Sequence, residues 1–287
     1  MAEGRESAFV FEKYRTLKQP LCDLHVHTVA SDGTDTPEKV VSRAERLGLK
    51  AIAVTDHDAV EGILPAVKAA SGRLTLVPGV EISTEESNRE IHILGYFIDY
   101  NHPRLLELLS LLRRRRRERA AQIVERLKKM GIAIDFEMVE NLAGVGVIGR
   151  PHIARILAKI GAVPSAEAAF SHLIGRGCPA YVPRAKFTAV DAIRLIKEVG
   201  GVAVLAHPGV SQGEEVLGQL VSAGLNGIEV EYPEHTAGQR EHFRKLAQRY
   251  GLIATGGSDY HGPDSRFPLG AAVVSFRVVQ ELQAAAR

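Results

Sequence analysis

The chain has 287 residues, 45% of them hydrophobic and 24% charged, with a net charge of +2, the profile of an ordinary soluble globular protein with room for one barrel-sized domain or a domain with an insertion. No stretch approaches the roughly 20 apolar residues of a membrane span, and the charged N-terminal run MAEGRESAFVFEKYR has no apolar segment of the secretory kind. The two cysteines, Cys22 and Cys178, stand far apart with no partner motif, which argues against a disulfide framework and reads as free thiols in a reducing cytoplasm.

The first predicted element is a strand, LCDLHVH. TPEKVVSRAERLGL follows as a helix, with Thr36 as N-cap, Pro37 in the first helical position and Gly48 as C-cap. KAIAVTDHD reads as a second strand, and a helix over about Val60 to Ala70 leads to LTLVPGVEIS and EIHILGYFID, two further strands. The rhythm then breaks. PRLLELLSLLRRRRRERAAQIVERLKKMG is one long helical pattern whose apolar stripe is Leu105, Leu108, Leu109, Leu112, Ile123 and Leu127. Shorter helical patterns follow near Phe136–Asn141, Pro151–Ile160 and Ala166–Ile174, with no strand strong enough to join a sheet. Residues 102–187 carry sixteen lysines and arginines against seven acids, a local +9 beside −7 for the rest. This is expected to be a helical, basic insertion domain, with the main domain formed by residues 1–101 and 188–287. A basic region suits phosphates or nucleic acid.

Past the insertion the alternation resumes. Helix AVDAIRLIKEVG, strand GVAVLAHPG, a helix around Glu214 to Ala223, strand GIEVEY, helix AGQREHFRKLAQRYG and strand LIATGGSDYH complete seven strand candidates. Strands alternating with helices argue for parallel pairing in an α/β fold.

In such folds ligands collect beyond the carboxyl ends of the strands. Here those ends are ionisable. The first strand ends with His25 and His27, then Asp32; the second with Asp56, His57 and Asp58. The third leads to Glu81, and the fourth carries His92. The fifth ends at His207, the sixth at Glu229 and Glu231, the seventh at Asp259 and His261. His25 and His27 are two apart, so in a strand they share a face and can chelate one ion. Any one of these is ordinarily a satisfied polar residue at a strand end. Taken together they call for a shared partner, and a divalent cation satisfies many imidazoles and carboxylates at once. Asp56 and Asp58 suit either ligand orientation or helix N-capping.

The series His-x-His, TDH, PGVE, AHP and SDYH, in this order, resembles the PHP (polymerase and histidinol phosphatase) domain family. The resemblance implies a distorted seven-stranded β/α barrel with a metal cluster at its carboxyl rim. It also implies nine ligand positions, all filled here: His25, His27, Asp32, His57, Glu81, His92, His207, Asp259 and His261. PGVEIST, EIHILGYFID, the arginine-rich helix, GRPHIARIL and RGCPAYVP are similar to a stand-alone group of the family that includes 3′,5′-nucleoside bisphosphate phosphatases and an RNase AM-like 5′→3′ exoribonuclease.

The chemistry so implied is phosphate-ester hydrolysis with two or three divalent ions, Mn²⁺ first, Zn²⁺ or Fe²⁺ as alternatives. Such ions neutralise phosphoryl oxygens and lower the pKa of a bound water from about 15.7 toward 7. The resemblance makes Glu81 the bridging carboxylate and a hydroxide held between ions the nucleophile; His207 or His261 is the candidate proton donor. For the insertion, Arg115, Arg119, Arg150 and His152 are the expected phosphate binders. Arg150 and His152 stand where the glycine-rich GVGVIGRPH enters a helix, a natural anion site. The expected substrate is a nucleoside bisphosphate, converted to the 5′-monophosphate, or 5′-phosphorylated RNA cleaved 5′→3′, with no obligate protein partner. A histidinol-phosphate or other small-phosphomonoester phosphatase is the alternative enzyme. A nucleic-acid-binding regulator with structural metals is the alternative of another class.

Overall fold

The computed structural model describes residues 20–70, 72–86 and 89–286; the N-terminal run considered above as a secretory signal lies outside them. Two compact units divide the chain, one formed by residues up to Leu106 and from Phe187, the other by Glu107–Lys186.

The first unit is built on eight strands: β1 (Leu21–Val26), β2 (Ala51–Val54), β3 (Thr75–Glu86), β4 (Arg89–Tyr96), β5 (Val202–Leu205), β6 (Gly227–Glu231), β7 (Ile253–Gly256) and β8 (Val274–Ser275). Their order in the sheet is β7-β6-β5-β4-β3-β2-β1-β8. The backbone after β7 returns to β1, where Asp259 N donates to His25 O at 2.9 Å and His27 N to Tyr260 O at 2.8 Å. The sheet is thereby nearly closed into a distorted α/β barrel. Apolar side chains of several strands fill its interior, among them Leu24, Ala53, Val77, Leu94 and Val204.

The barrel departs from the expected pattern in two ways. β4 pairs antiparallel with both β3 and β5, where alternation argued for parallel strands. The cause is the connection: only two residues separate β3 from β4, and a parallel pair needs a crossover of a dozen or more. The eighth strand, antiparallel to β1, has two residues and no readable period.

Between the strands lie α1 (Pro37–Arg46), α2 (Ile63–Ala69), α7 (Ala189–Glu198), α8 (Pro208–Ser211), α9 (Leu217–Ser222), α10 (Ala237–Tyr250) and α11 (Phe276–Ala285). Capping explains where they start. Thr36 accepts the N–H of Lys39 ahead of α1, and Thr188 and Thr236 cap α7 and α10 in the same manner. Gly48 takes φ +72° just past α1, the left-handed end that favours glycine.

The second unit holds α3 (Pro103–Lys129, which starts just before it), α4 (Phe136–Ala143), α5 (Arg150–Lys159) and α6 (Ala166–Ala169), the last continued by a π turn over Phe170–Ile174. It has its own apolar core, including Ile123, Leu127, Ile153, Leu157 and Ile174. It contains no strand among the described residues.

Candidate metal centre

The long β3–β4 hairpin positions the centre of the site. β2 pairs with β3 as far as Val54 and Pro78, and past it Glu81 N still donates to Asp56 O at 3.2 Å and Glu81 O accepts from Asp58 N at 3.0 Å, which sets Glu81 beside His57. Because β4 is antiparallel, His92 near its start comes to the same rim as the ends of the parallel strands. Ala206 N, just past β5, donates to His92 O at 3.1 Å.

All nine expected residues meet here. Glu81 is fully buried, and five imidazoles face it. Its Oε2 lies 3.3 Å from His25 Nε2, 3.2 Å from His27 Nε2 and 2.9 Å from His57 Nδ1. Its Oε1 lies 2.8 Å from His92 Nδ1 and 3.1 Å from His207 Nε2. Asp259 Oδ1 lies 3.3 Å from His25 Nε2 and 3.1 Å from His27 Nε2. Asp32 Oδ1 lies 3.3 Å from His261 Nε2, and Asp32 Oδ2 lies 4.0 Å from His57 Nε2.

The electrostatics of these groups depend on one another. Burial pushes the Glu81 carboxyl up, but the surrounding imidazoles, His57 first, outweigh it and hold the group well below the carboxylate range. Asp32 and Asp259 follow the same balance, against His261 and His25 respectively. Burial pulls His27 down, yet Asp259 and Glu81 together raise it to about 10. His92 goes the other way. Burial, assisted by His57 and His207, overcomes Glu81 and lowers it to about 4.

This donor set fits divalent ions. His25 Nε2, His27 Nε2, His57 Nδ1, Glu81 Oε2, His92 Nε2 and His207 Nδ1 are buried without hydrogen-bond geometry to any partner. Leaving so many polar atoms so placed is costly unless something shared satisfies them. Eight of the nine residues supply donor atoms to three sets, each within 4.8 Å: His27, Asp32, His57 and His261; His25, His27, Glu81 and Asp259; His57, Glu81 and His92; the ninth, His207, stands at Glu81 Oε1. Each pair of sets shares one residue. Mixed imidazole and carboxylate donors without thiolate suit catalytic Mn²⁺, Fe²⁺ or Zn²⁺.

A supporting layer orients the donors. His25 Nδ1 faces Glu229 Oε1 at 3.1 Å, and Glu229 Oε2 accepts the His207 N–H at 2.8 Å. Tyr232 donates to Asp259 Oδ2 at 2.9 Å. His261 Nδ1 lies 2.8 Å from Asp259 O, which leaves Nε2 toward Asp32. Asp56 accepts from Thr28 N, Thr28 Oγ1 and Ser31 Oγ at 2.6–2.8 Å and so shapes the loop that carries Asp32. Asp58 accepts the Ser83 N–H at 2.9 Å. The two aspartates therefore bond loop and strand rather than cap a helix. His207 and Asp259 have positive φ, 28° and 55°, a conformation that costs a non-glycine residue roughly 1–3 kcal/mol and collects at functional sites. Tyr232 closes the expected strand GIEVEY as an aromatic and His235 lies beyond it, so neither carries a signal of ligand support, and Glu229 reads only as one more polar strand end.

In the helical unit the four expected phosphate binders have local partners. Arg119, 8% exposed, donates from Nε to Val182 O at 2.8 Å and lies 5.6 Å from the Tyr181 ring. Arg115 Nη1 reaches Lys186 O at 3.4 Å. Arg150 lies over the Phe170 ring at 5.5 Å. His152 Nδ1 accepts the Gly149 N–H at 3.1 Å and closes the start of α5.

Comparison with known proteins agrees with this picture. The family model for the PHP domain matches residues 23–130. The chain is 40% identical to the 5'-3' exoribonuclease Rnm of Escherichia coli, over 86% of this chain and 87% of that protein. It is 36% identical to the phosphoribosyl 1,2-cyclic phosphate 1,2-diphosphodiesterase of Eggerthella lenta, over 89% and 98%. To the 3',5'-nucleoside bisphosphate phosphatase of Chromobacterium violaceum it is also 36% identical, over 84% and 87%. The crystal structure of a Bifidobacterium adolescentis protein superposes with a TM-score of 0.87 at 31% identity, over 94% of this chain and 97% of that one.

Proposed function

This chain belongs to the PHP domain family of metal-dependent phosphoesterases, and on that premise we propose that it hydrolyses phosphate esters of nucleotides. The substrate is either a nucleoside 3′,5′-bisphosphate, split by water at the 3′ P–O bond into the 5′-monophosphate and phosphate, or 5′-phosphorylated RNA cleaved from its 5′ end. The +9 charge of residues 102–187 favours a substrate with more than one phosphate over a small monoester.

The observation that carries this reading is the convergence of five imidazoles on Glu81. A neutral imidazole offers one lone pair, whereas a carboxylate offers two oxygens. Glu81 is therefore the natural shared ligand, and the nine residues divide without using any imidazole twice. His25, His27, Glu81 and Asp259 make one site; Asp32, His57 and His261 a second; Glu81, His92 and His207 a third. Divalent ions bound there supply Lewis acidity toward phosphoryl oxygens and acidify water. Glu229 and Tyr232 hold ligand orientation. His261 has the most open imidazole of the six, 22% exposed, and it or His207, when released from an ion, is proposed to hold the proton destined for the leaving oxygen. We assign Arg115, Arg119, Arg150 and His152 to anion binding within the helical unit, with Arg150 foremost.

A panel assay with Mn²⁺ tests the reading. Nucleoside 3′,5′-bisphosphate and 5′-phosphorylated oligoribonucleotide are expected to turn over well ahead of histidinol phosphate and a pentose 1,2-cyclic phosphate. Preference for either of the last two would overturn it.

A further inference from the structure

β6 stands apart from its neighbours. Strands β1, β2, β3, β4, β5 and β7 carry or lead into residues of the proposed ion sites, and β6 carries none. Two side chains from β6 and the loop after it nonetheless converge on one turn, His207-Pro208-Gly209. Glu229 Oε2 accepts the His207 N–H at 2.8 Å. His235, 3% exposed, accepts the Gly209 N–H on Nε2 at 3.1 Å, and its Nδ1 is anchored to Val230 O at 3.0 Å. Proline has no N–H, so side chains from this one region take both amide donors of the turn. The fit is close: a Cβ on Gly209 would stand 2.7 Å from His235 Cδ2 and 2.9 Å from Nε2. The clamped turn contains His207 at φ +28°, whose Nε2 lies 3.1 Å from Glu81 Oε1.

We propose that Glu229 and His235 are positioning residues that clamp the His207–Gly209 turn in its positive-φ form and thereby fix the His207 imidazole against Glu81. Burial holds His235 below its ordinary pKa, in the neutral form that can accept a hydrogen bond. The proposal rests on the reading of the cluster as a metal centre.

The test is Mn²⁺ binding by equilibrium dialysis on the full chain, for wild type, H235A, H235Q and G209A, with thermal unfolding in chelator as the control for folding. Glutamine places an oxygen near the position of Nε2 and can still accept from Gly209. Supporting partners of metal ligands are typically worth 10–100-fold in metal affinity. H235A and G209A are therefore expected to weaken the most loosely held Mn²⁺ at least about tenfold, with unfolding in chelator little changed. H235Q should recover most of that loss. On p-nitrophenyl phosphate, kcat should fall while KM stays nearly constant. Wild-type affinity in H235A, or H235Q no better than H235A, overturns the proposal. Should H235A fail to fold, G209A decides on the same criterion. Wild-type protein that binds no Mn²⁺ would overturn the metal reading itself and this one with it; wild-type binding together with an unaffected H235A overturns this one alone.

Discussion

The barrel rim and the helical unit are both rich in ionisable side chains, and they use them in opposite ways. At the rim, Glu81, Asp32 and Asp259 are held far below the carboxylate range by buried imidazoles. The donor atoms there face mostly one another. In the helical unit the arginines reach backbone carbonyls and aromatic rings: Arg119 takes Val182 O, Arg126 takes Tyr181 O, and Arg117 and Arg150 lie over Phe136 and Phe170. A charge that satisfies a carbonyl already has work within the fold. A buried donor that faces only other donors waits for a ligand.

The sharpest break would come at Glu81. Glu81→Ala should remove the shared carboxylate and with it several kcal/mol of transition-state stabilisation, on the order of 10³-fold in kcat at about 1.4 kcal/mol per decade. Elemental analysis should show two or three ions per wild-type chain and fewer in the variant. Wild-type turnover by Glu81→Ala at saturating Mn²⁺ would erase the distinction between the two regions.

The next effect is on pH. Against burial, Asp259 and Glu81 raise His27 to about 10 in the ion-free protein. A folded-state pKa above the unfolded value of about 6.5 means that the protonated imidazole stabilises the ion-free fold fully below about pH 6.5. That contribution is lost as pH rises toward 10. An ion must displace this proton, so affinity should climb with pH across that window and binding should release protons. Calorimetry in two buffers of different ionisation enthalpy measures the release. Identical heats in both would show that His27 is already unprotonated.

Arg150→Ala asks whether the helical unit holds a site at all. A charge-assisted contact is worth about 1.5–3 kcal/mol, so the variant should lose roughly ten- to a hundredfold in kcat/KM on nucleoside 3′,5′-bisphosphate and little on p-nitrophenyl phosphate. Equal losses on both would assign Arg150 to folding. No loss on either would return Arg150 to a packing role beside Phe170.

Arg119→Ala is expected to have the smallest effect on chemistry and a visible one on stability. Val182 is buried, and its carbonyl loses a charged donor, about 1–3 kcal/mol. Thermal unfolding checks this. A lowered midpoint with a modest loss of substrate binding is expected of a residue assigned to both packing and anion binding, and unchanged kcat/KM would leave Arg119 to packing.

Much of this molecule is determined locally. The seven main strands, the cap at Thr36, the glycine ending at Gly48 and the helices of the insertion follow from periodicity and capping, which act over a few residues. His25 and His27 share a face because a strand alternates, and polar ends on apolar strands announce a rim. What those rules cannot reach is register and direction. The antiparallel course of β4, which turns His92 to the rim, is set by a two-residue connection together with pairing on both sides. The two-residue β8 exists only because β1 offers it an edge. Glu229, Tyr232 and His235 become supports only when the barrel brings β6 between β5 and β7, and Arg119 turns inward because Val182, 63 residues on, presents a carbonyl. Chain-local physics chose the donors, while pairing between distant segments chose their partners, since hydrogen bonds and buried charges are satisfied in space and carry no trace in sequence spacing.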